Sequence, residues 1–263
     1  MVISYLFDRR SKAPHTVCGY EFDITDYHPT KADLDSLRST YDLRGEAAFK
    51  RLNHLRRKTR ATQTARDEDS AEQQISNKTD LYAALVENKD NDTALCELWD
   101  SVNDMPSWVD WDQIERGQTV FFRYCIPFIV GLVYQSLLAG MGAWRIVETL
   151  SRTGGFQTNV ARRRLLETTQ FVLDCMQSPE SLKPGGKGFA SALRVRLLHC
   201  AVRESILDLC AVDPSYYDIQ ELGVPINDMD SISTIVSFSS TLIWISLPRQ
   251  GWVNLFSYNG VMI

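Results

Sequence analysis

The chain has 263 residues, of which 44% are hydrophobic and 10% aromatic, and this is enough to bury a sizeable core in one large domain or two modest ones. Its formal net charge is -5, which argues against nucleic acid as a partner because nucleic-acid binding needs clustered positive charge. The basic stretch from Lys50 to Arg60 is the local exception. We interpret it as a solvated helix face, with a patch for an anionic surface as the alternative.

The six cysteines are spread along the chain with no CxxC pair and no metal-finger spacing. They are interpreted as reduced core thiols, which fit a cytosol-facing protein better than a secreted one. The N-terminal residues show neither a basic leader nor a long apolar segment typical of a signal peptide. We therefore expect a cytoplasmic or cytosol-facing location, with association to the ER membrane as an option, and no secretion.

Residues 1–104 are polar and rich in charge, and we predict a charged helical N-terminal region. Between Tyr27 and Leu55 charged residues alternate with spaced apolar ones, which predicts amphipathic helices opened by Thr30 or Asp33 as caps. The segment from Lys58 to Lys78 has almost no large apolar residue and is predicted to be a flexible loop or linker. A further helix is predicted from Thr79 to Val102.

The composition changes at Met105, and residues 105–263 are predicted to form the main helical domain, with Asp110 or Asp112 as its first cap. The apolar run from Tyr124 to Trp144 is long enough to span a bilayer. Because Pro127, Gln135 and three glycines interrupt it, a buried central helix or helix pair is favoured over a transmembrane span. The small residues in this run would allow close packing of helices or of a flat cofactor.

Two further helices carry most of the candidate site. After Gly154 and Gly155, the segment ARRRLLETTQFVLDCM predicts a helix with Arg164 and Thr168 on one side and Glu167 at its edge. The stretch from Gly185 to Cys210 predicts a second helix. At about 100° per residue, one face of that helix contains seven residues, and we predict that it points inward: Ala192, Arg196, His199, Arg203, Ile206, Leu207 and Cys210. The opposite face, interpreted as solvated, contains Arg194, Ala201, Glu204, Ser205 and Asp208.

The last predicted element covers DSISTIVSFSSTLIWISLP, with Asp228 or Asp230 as its cap. Its β-branched residues would suit a strand, but the helical pattern of the rest favours a helix.

Several common types of site are not expected, because the sequence lacks the motifs that define them. The four histidines (His15, His28, His54 and His199) form no HxH, HExxH or ExxH pattern, so a multi-histidine zinc or di-iron centre is not expected. The sequence has no GxSxG, its PGGKG lacks the spacing of a P-loop, and no GxGxxG follows a strand. Hydrolase chemistry and nucleotide cofactors are therefore not expected.

A haem group is compatible with this composition because it needs one strong protein ligand, an apolar slot and cations for its propionates. His199 could be the ligand, Arg196 and Arg203 the cations, and the Tyr124 to Trp144 run the slot. The alternative is that His199 is a hydrogen-bonded core residue. In that case the arginines pair with carboxylates such as Glu148, Glu167 or Asp230.

Several ordered blocks resemble the fungal members of the rubber-oxygenase (latex-clearing protein) and mpaB-type ER-bound oxygenase family, over roughly Trp108 to Gly251. These blocks are WVDWDQIERGQ, GAWRIVETLSRTGGF, ARRRLLETTQFV, GGKGFASALRVRLLHCAVR and GVPINDMDSISTIVSFSSTLIW. The resemblance implies an all-α, multi-helix bundle related to globins, with haem b as the cofactor. It also implies oxygen-dependent attack on carbon-carbon double bonds of isoprenoid chains.

The resemblance also implies residue roles. The RLLH element makes His199 resemble the proximal haem and iron ligand. Arg164, Glu167 and Thr168 occupy the position of a distal Arg-x-x-Lys-Thr group, with Glu167 in place of the lysine, so a lysine-capped resting iron is not expected. The Glu167 carboxylate could orient water, act as a base or pair with Arg164. Glu148 resembles the proton-abstracting glutamate of the family.

Family members usually continue with further helices after the PRQG element, whereas this sequence ends at Ile263. On that comparison we expect a truncated or mis-spliced form with one pocket wall incomplete. The amino-terminal membrane anchor of the ER-bound members is not evident in the sequence.

Two hypotheses of function follow. The first is a haem b oxygenase that uses O2 on an apolar, alkene-containing small molecule, with Arg196 and Arg203 near the propionates or nearby carboxylates and Glu148, Glu167 and Thr168 shaping the distal side. The second is a non-catalytic helical protein with His199 in its core, whose Tyr124 to Trp144 run docks on a membrane or a partner. Peripheral membrane association is compatible with both.

Overall fold

The computed structural model describes residues 15–17, 19–64, 80–138 and 140–252. The described chain confirms the all-α prediction, with one small exception: β1 (His15–Val17) pairs antiparallel with β2 (Tyr20–Phe22), so that His15 lies opposite Phe22. The residues 65–79, which contain most of the predicted loop, and 253–263 lie outside the described residues.

The described residues form α-helices and two π-helices. In chain order they are α1 (Lys31–Ser36), α2 (Leu43–Thr64), α3 (Leu81–Asn88), α4 (Thr93–Asn103), α5 (Trp111–Arg123), α6 (Cys125–Gly131), the π-helix π1 (Leu132–Leu138), α7 (Trp144–Arg152), α8 (Thr158–Met176), α9 (Pro179–Leu182), α10 (Lys187–Val212), α11 (Ile219–Leu222), α12 (Asp228–Phe238), the π-helix π2 (Leu242–Ser246) and α13 (Leu247–Arg249).

The described residues group into two compact units that alternate along the sequence. The first contains residues 15–41, 126–147 and 218–252, and the second contains residues 42–125 and 148–217. The candidate residues His199, Arg196, Arg203, Arg164, Glu167, Thr168 and Glu148 all belong to the second unit.

The core of the second unit is built around α10. Side chains of α2, α3, α4 and the N-terminal half of α10 form one apolar cluster, which removes their surface from water. Its buried members are Ala48, Phe49, Leu52, Leu85, Leu95, Leu98, Phe189, Leu193, Leu197 and Cys200. Helix α10 also packs against α8 and α9, so it forms the centre of this unit.

Three helices of the second unit begin with an aspartate that also binds an arginine of another helix. Each aspartate accepts backbone N–H bonds at the start of its own helix, which satisfies groups that the helix leaves without partners. The pairs are Asp42 with Arg196, Asp80 with Arg194 and Asp92 with Arg51. The starts of α2 and α3 are thereby fixed to α10, and the start of α4 is fixed to α2.

The first unit is held together by close contacts between its helices. The Ser136 hydroxyl of π1 donates to the carbonyl oxygen of Ser237 in α12. The Gln250 side chain donates to the carbonyl oxygen of Pro127 over 2.9 Å. The Gly131 Cα lies against the side chain of Ser246, so no larger residue fits there without a shift. These contacts bring the predicted Tyr124 to Trp144 run beside the last predicted helix.

Some local predictions are confirmed and others are wrong. Thr30 caps α1 in a capping box with Asp33, and Asp110 caps α5, as predicted. The last helix is capped by Asn227, whose side chain accepts from Asp230 N over 2.9 Å, rather than by Asp228 or Asp230. An Asn side chain caps as well as an Asp side chain, so composition does not choose between neighbours.

Two predicted helix boundaries are also wrong. Helix α2 continues through Thr64, into the segment predicted as a loop, because Lys58 and the residues after it include good helix formers. The predicted helix from Thr79 to Val102 is two helices, since Asp92 begins α4 after a turn.

Among the described residues, no single helix combines the length and hydropathy needed to cross a membrane. Two bent combinations of consecutive helices have that length and hydropathy together: α5 with α6 and π1, and α12 with π2 and α13.

Candidate functional site

The His199 side chain is exposed, so the prediction that it points inward is wrong. The buried face of α10 passes instead through Leu193, Leu197, Cys200 and Arg203. At about 100° per residue His199 lies at the edge of that face. The physical reason is that the large apolar side chains of the N-terminal half determine which side of α10 meets the core.

The electrostatic surroundings keep the His199 ring neutral. Burial among protein atoms lowers the pKa of His199 below its ordinary value of 6.5, and the positive charges of Arg203 and Arg164 lower it further. At pH 7 the imidazole is therefore neutral, which is the form that binds a transition metal.

Arg196 is already bound to a carboxylate of the protein. Its Nε lies 2.6 Å from Asp42 Oδ2 and its Nη2 lies 2.7 Å from Asp42 Oδ1, a two-point ion pair. Burial alone would raise the pKa of Asp42, but the hydrogen bonds from Arg196 and the Gly45 amide, with the charges of Arg196 and Arg203, lower it. Asp42 is not among the carboxylates that we expected to pair with Arg196.

Arg203 is an interior residue with only 2% of its surface exposed. Its Nη1 lies 3.9 Å from Cys200 Sγ. Burial, followed by the charge of Asp42, raises the pKa of the Cys200 thiol to about 11. Cys200 therefore stays a neutral thiol at pH 7. The positive charges of Arg196 and Arg203 both act on the Asp42 carboxylate.

The α8 residues predicted for the distal side separate into two environments. Arg164 is exposed, its guanidinium lies against the Gly155 Cα, and burial lowers its pKa while Glu167 opposes that change. Glu167 is 59% exposed and pairs with Arg163, the two atoms Oε1 and Nε being 3.5 Å apart. Thr168 is half-buried. The electrostatic effect of Arg164 on His199 links α8 to α10, whereas Glu167 lies in a solvated pair.

Glu148 is half-buried and ion-paired within α7. Its Oε1 accepts from Arg152 Nε over 2.7 Å and from Arg152 Nη2 over 2.6 Å. Arg152 also stacks over the ring of Tyr216, 5.0 Å from its centre, and these two residues border an open groove of about 310 Å³ with Ser205 and Ile206. The Glu148 carboxylate is thus held by Arg152 at the border of this groove.

The part of the chain that the structure describes contains no cluster of three or more His, Cys, Asp or Glu side chains placed to hold a metal ion. A haem requires only one such ligand from the protein, and the exposed, neutral ring of His199 fits that donor chemistry. The predicted propionate partners do not fit, because Arg196 binds Asp42 and Arg203 is buried.

Sequence reasoning missed Asp42 and Gly155. Asp42 directly precedes α2, and an Asp before a helix start is a recognisable capping signal, but nothing local indicates Arg196 as its partner. Gly155 stands in the sequence only as one of the two glycines before a predicted helix. The close approach of Arg164 to it depends on tertiary packing.

Comparison with known proteins finds no matching family model, no matching curated sequence and no matching solved structure.

Proposed function

We propose that this chain is a haem b protein of the oxygenase class, in which His199 would ligate the iron. The observation that carries the proposal is that His199 is an exposed residue of α10 whose ring is kept neutral by desolvation from surrounding protein atoms and by the charges of Arg203 and Arg164. A neutral, accessible imidazole on a rigid helix is what a single protein ligand of haem iron requires.

The other side chains support this role in different ways. The Asp42–Arg196 ion pair fixes α10 against the start of α2 and so orients the helix that carries His199. Arg164 is the exposed cation of the group, which suits it to a propionate or to a polar intermediate of the substrate. Glu148 and Glu167 are both ion-paired, with Arg152 and Arg163, and their part in the reaction is to orient these neighbouring cations.

Bound haem would supply an iron atom able to activate O2 for attack on a carbon-carbon double bond. The exposed leucines next to Arg164 and His199 in sequence, Leu165 and Leu198, suit an apolar, alkene-containing chain as substrate.

The test is an absorbance titration of the purified full chain with haemin. We expect a Soret band in the wild type and its loss, or at least a tenfold weaker affinity, in His199→Ala. His54→Ala is the matched control, because His54 is also an exposed helical histidine of the second unit. An unchanged band in His199→Ala would overturn the ligand assignment. A folded but colourless wild type would overturn the haem proposal and favour the non-catalytic hypothesis.

Catalysis is tested separately from binding. Oxygen uptake and the formation of carbonyl products are measured with a polyisoprenoid after the haem content is fixed. Haem binding without either signal would leave the ligand assignment in place and overturn the oxygenase activity.

A further inference from the structure

Two uncharged segments lie side by side in the first unit. Residues 126–144 and 231–248 contain no Asp, Glu, Lys or Arg. The structure packs α12 against π1 and π1 against π2, so the two segments are neighbours. Protein surfaces in water usually intersperse charges among their apolar residues, and these segments do not.

Large apolar side chains of these segments are exposed rather than buried. A set of exposed apolar side chains of this size normally contacts a partner protein or a membrane. The exposed members are Ile126, Val130, Tyr134 and Leu138 on α6 and π1, Met141 and Trp144 after π1, Ile232, Ile235 and Val236 on α12, and Trp244 on π2.

The hydroxyl groups of α12 and of Ser239, which directly follows it, already have acceptors inside the protein. Ser233, Thr234 and Ser239 donate to the carbonyl oxygens of Met229, Asp230 and Ile235 over 2.8, 2.8 and 2.7 Å. The Ser136 hydroxyl likewise donates to Ser237 O. A hydroxyl that bonds to its own helix loses little when water is removed, which is the condition that a hydrocarbon environment imposes.

We propose that α12, π1 and π2 form a lipid-binding surface that inserts these exposed side chains into the acyl region of one leaflet. A protein partner is the less suitable occupant, because protein interfaces carry about one hydrogen bond per 100–200 Å² and these hydroxyls are engaged internally. Tyr134 and Trp244 have the amphipathic rings that favour the boundary between acyl chains and headgroups. Since the segments have no Lys or Arg, binding needs no anionic lipid. The proposal does not depend on haem.

The first experiment is co-sedimentation of the full chain with vesicles of pure phosphatidylcholine. We expect binding that is the same at low and high salt. Ile235→Glu should weaken partitioning by about tenfold or more, since it replaces a large apolar group by a charge. Leu166→Glu is the matched control, because Leu166 on α8 is 60% exposed and Ile235 is 66% exposed. Circular dichroism checks that both variants keep their helix content.

The second experiment uses the wild-type surface and tryptophan fluorescence. Brominated phosphatidylcholine should quench part of the emission, and Trp244→Phe should reduce that quenched part. Trp108→Phe, which changes an exposed tryptophan of the second unit, should leave it unchanged. The proposal is overturned by absence of binding to phosphatidylcholine, by unchanged binding of Ile235→Glu, or by quenching that Trp244→Phe does not reduce. A lipid-free dimer that Ile235→Glu dissociates would also overturn it and assign the surface to a second copy of the chain.

Discussion

Replacing Asp42 tests how the helix that carries His199 is held. Asp42 serves two purposes: its Oδ1 accepts from Gly45 N over 2.9 Å at the start of α2, and its two oxygens bind Arg196 of α10. Asp42→Ala removes both interactions. Asp42→Asn keeps an acceptor oxygen for the Gly45 amide, but removes the charge and replaces the oxygen that accepts from Arg196 Nε by an NH2 group.

The expected magnitudes follow from these contacts. Loss of a helix cap costs about 1 kcal/mol. The Asp42 and Arg196 side chains are 27% and 32% exposed, so their two-point pair lies between a surface pair and a buried one, and we take about 1–2 kcal/mol for it. Asp42→Ala should therefore lower the free energy of unfolding by about 2–3 kcal/mol, and Asp42→Asn by about 1–2 kcal/mol.

Urea unfolding followed by circular dichroism measures these differences. Asp90→Ala is the control, because Asp90 is 79% exposed in its pair with Lys89 and should cost little.

The stabilisation of the folded protein by the Asp42 charge depends on pH in a definite direction. The pKa of Asp42 is lower in the folded protein than its ordinary value of 3.8, so the contribution of its charge is complete above pH 4 and is lost as pH falls through the lowered pKa. The difference between wild type and Asp42→Asn should thus shrink in acid. A loss for Asp42→Ala no larger than that for Asp90→Ala, or a difference independent of pH, would refute the reasoning.

Two further predictions concern Arg164. Gly155→Ala should lower the free energy of unfolding by about 1–3 kcal/mol, because a Cβ there meets the Arg164 guanidinium and lies 2.9 Å from the Leu150 carbonyl oxygen. Gly117→Ala, in a helix with nothing within 4 Å of the added Cβ, should instead be neutral or stabilising, and equal losses in the two variants would contradict the contact. Arg164→Gln should raise the pKa of His199 in an NMR titration, because it removes a positive charge that lowers it, and an unmoved pKa would show that Arg164 does not act on the ring.

The features predictable from the sequence were local ones. Thr30 and Asp110 are predictable as caps because capping depends on residues within one turn of the helix. The sequence pattern indicates Asp228 or Asp230 as the cap of α12, whereas the structure has Asn227, because three suitable side chains lie within four positions. The identity of Arg196 as a paired residue could be anticipated, but its partner could not, since Asp42 is 154 positions away.

In the candidate site, too, the sequence predicts local features but not the contacts between distant residues. The periodicity of α10 places His199, Arg196 and Arg203 on adjoining positions, yet it does not say which part of the face meets the core. Packing of Leu193 and Leu197 against α2, α3 and α4 turns His199 to the edge and buries Arg203. The roles of Glu148 and Glu167 in oxygen chemistry stay predictions, and their ion pairs with Arg152 and Arg163 are the structural facts.

The sequence by itself determined the helical class of the described chain, several of its caps and the presence of a single histidine on a long helix near arginines. Periodicity and capping are properties of neighbouring residues, so they can be predicted from the sequence without knowledge of the tertiary structure. Only the tertiary structure decided that His199 is exposed and neutral, that Arg196 belongs to Asp42, and that two uncharged segments lie together with their apolar side chains exposed. Those facts depend on contacts between distant parts of the chain, which no local pattern encodes.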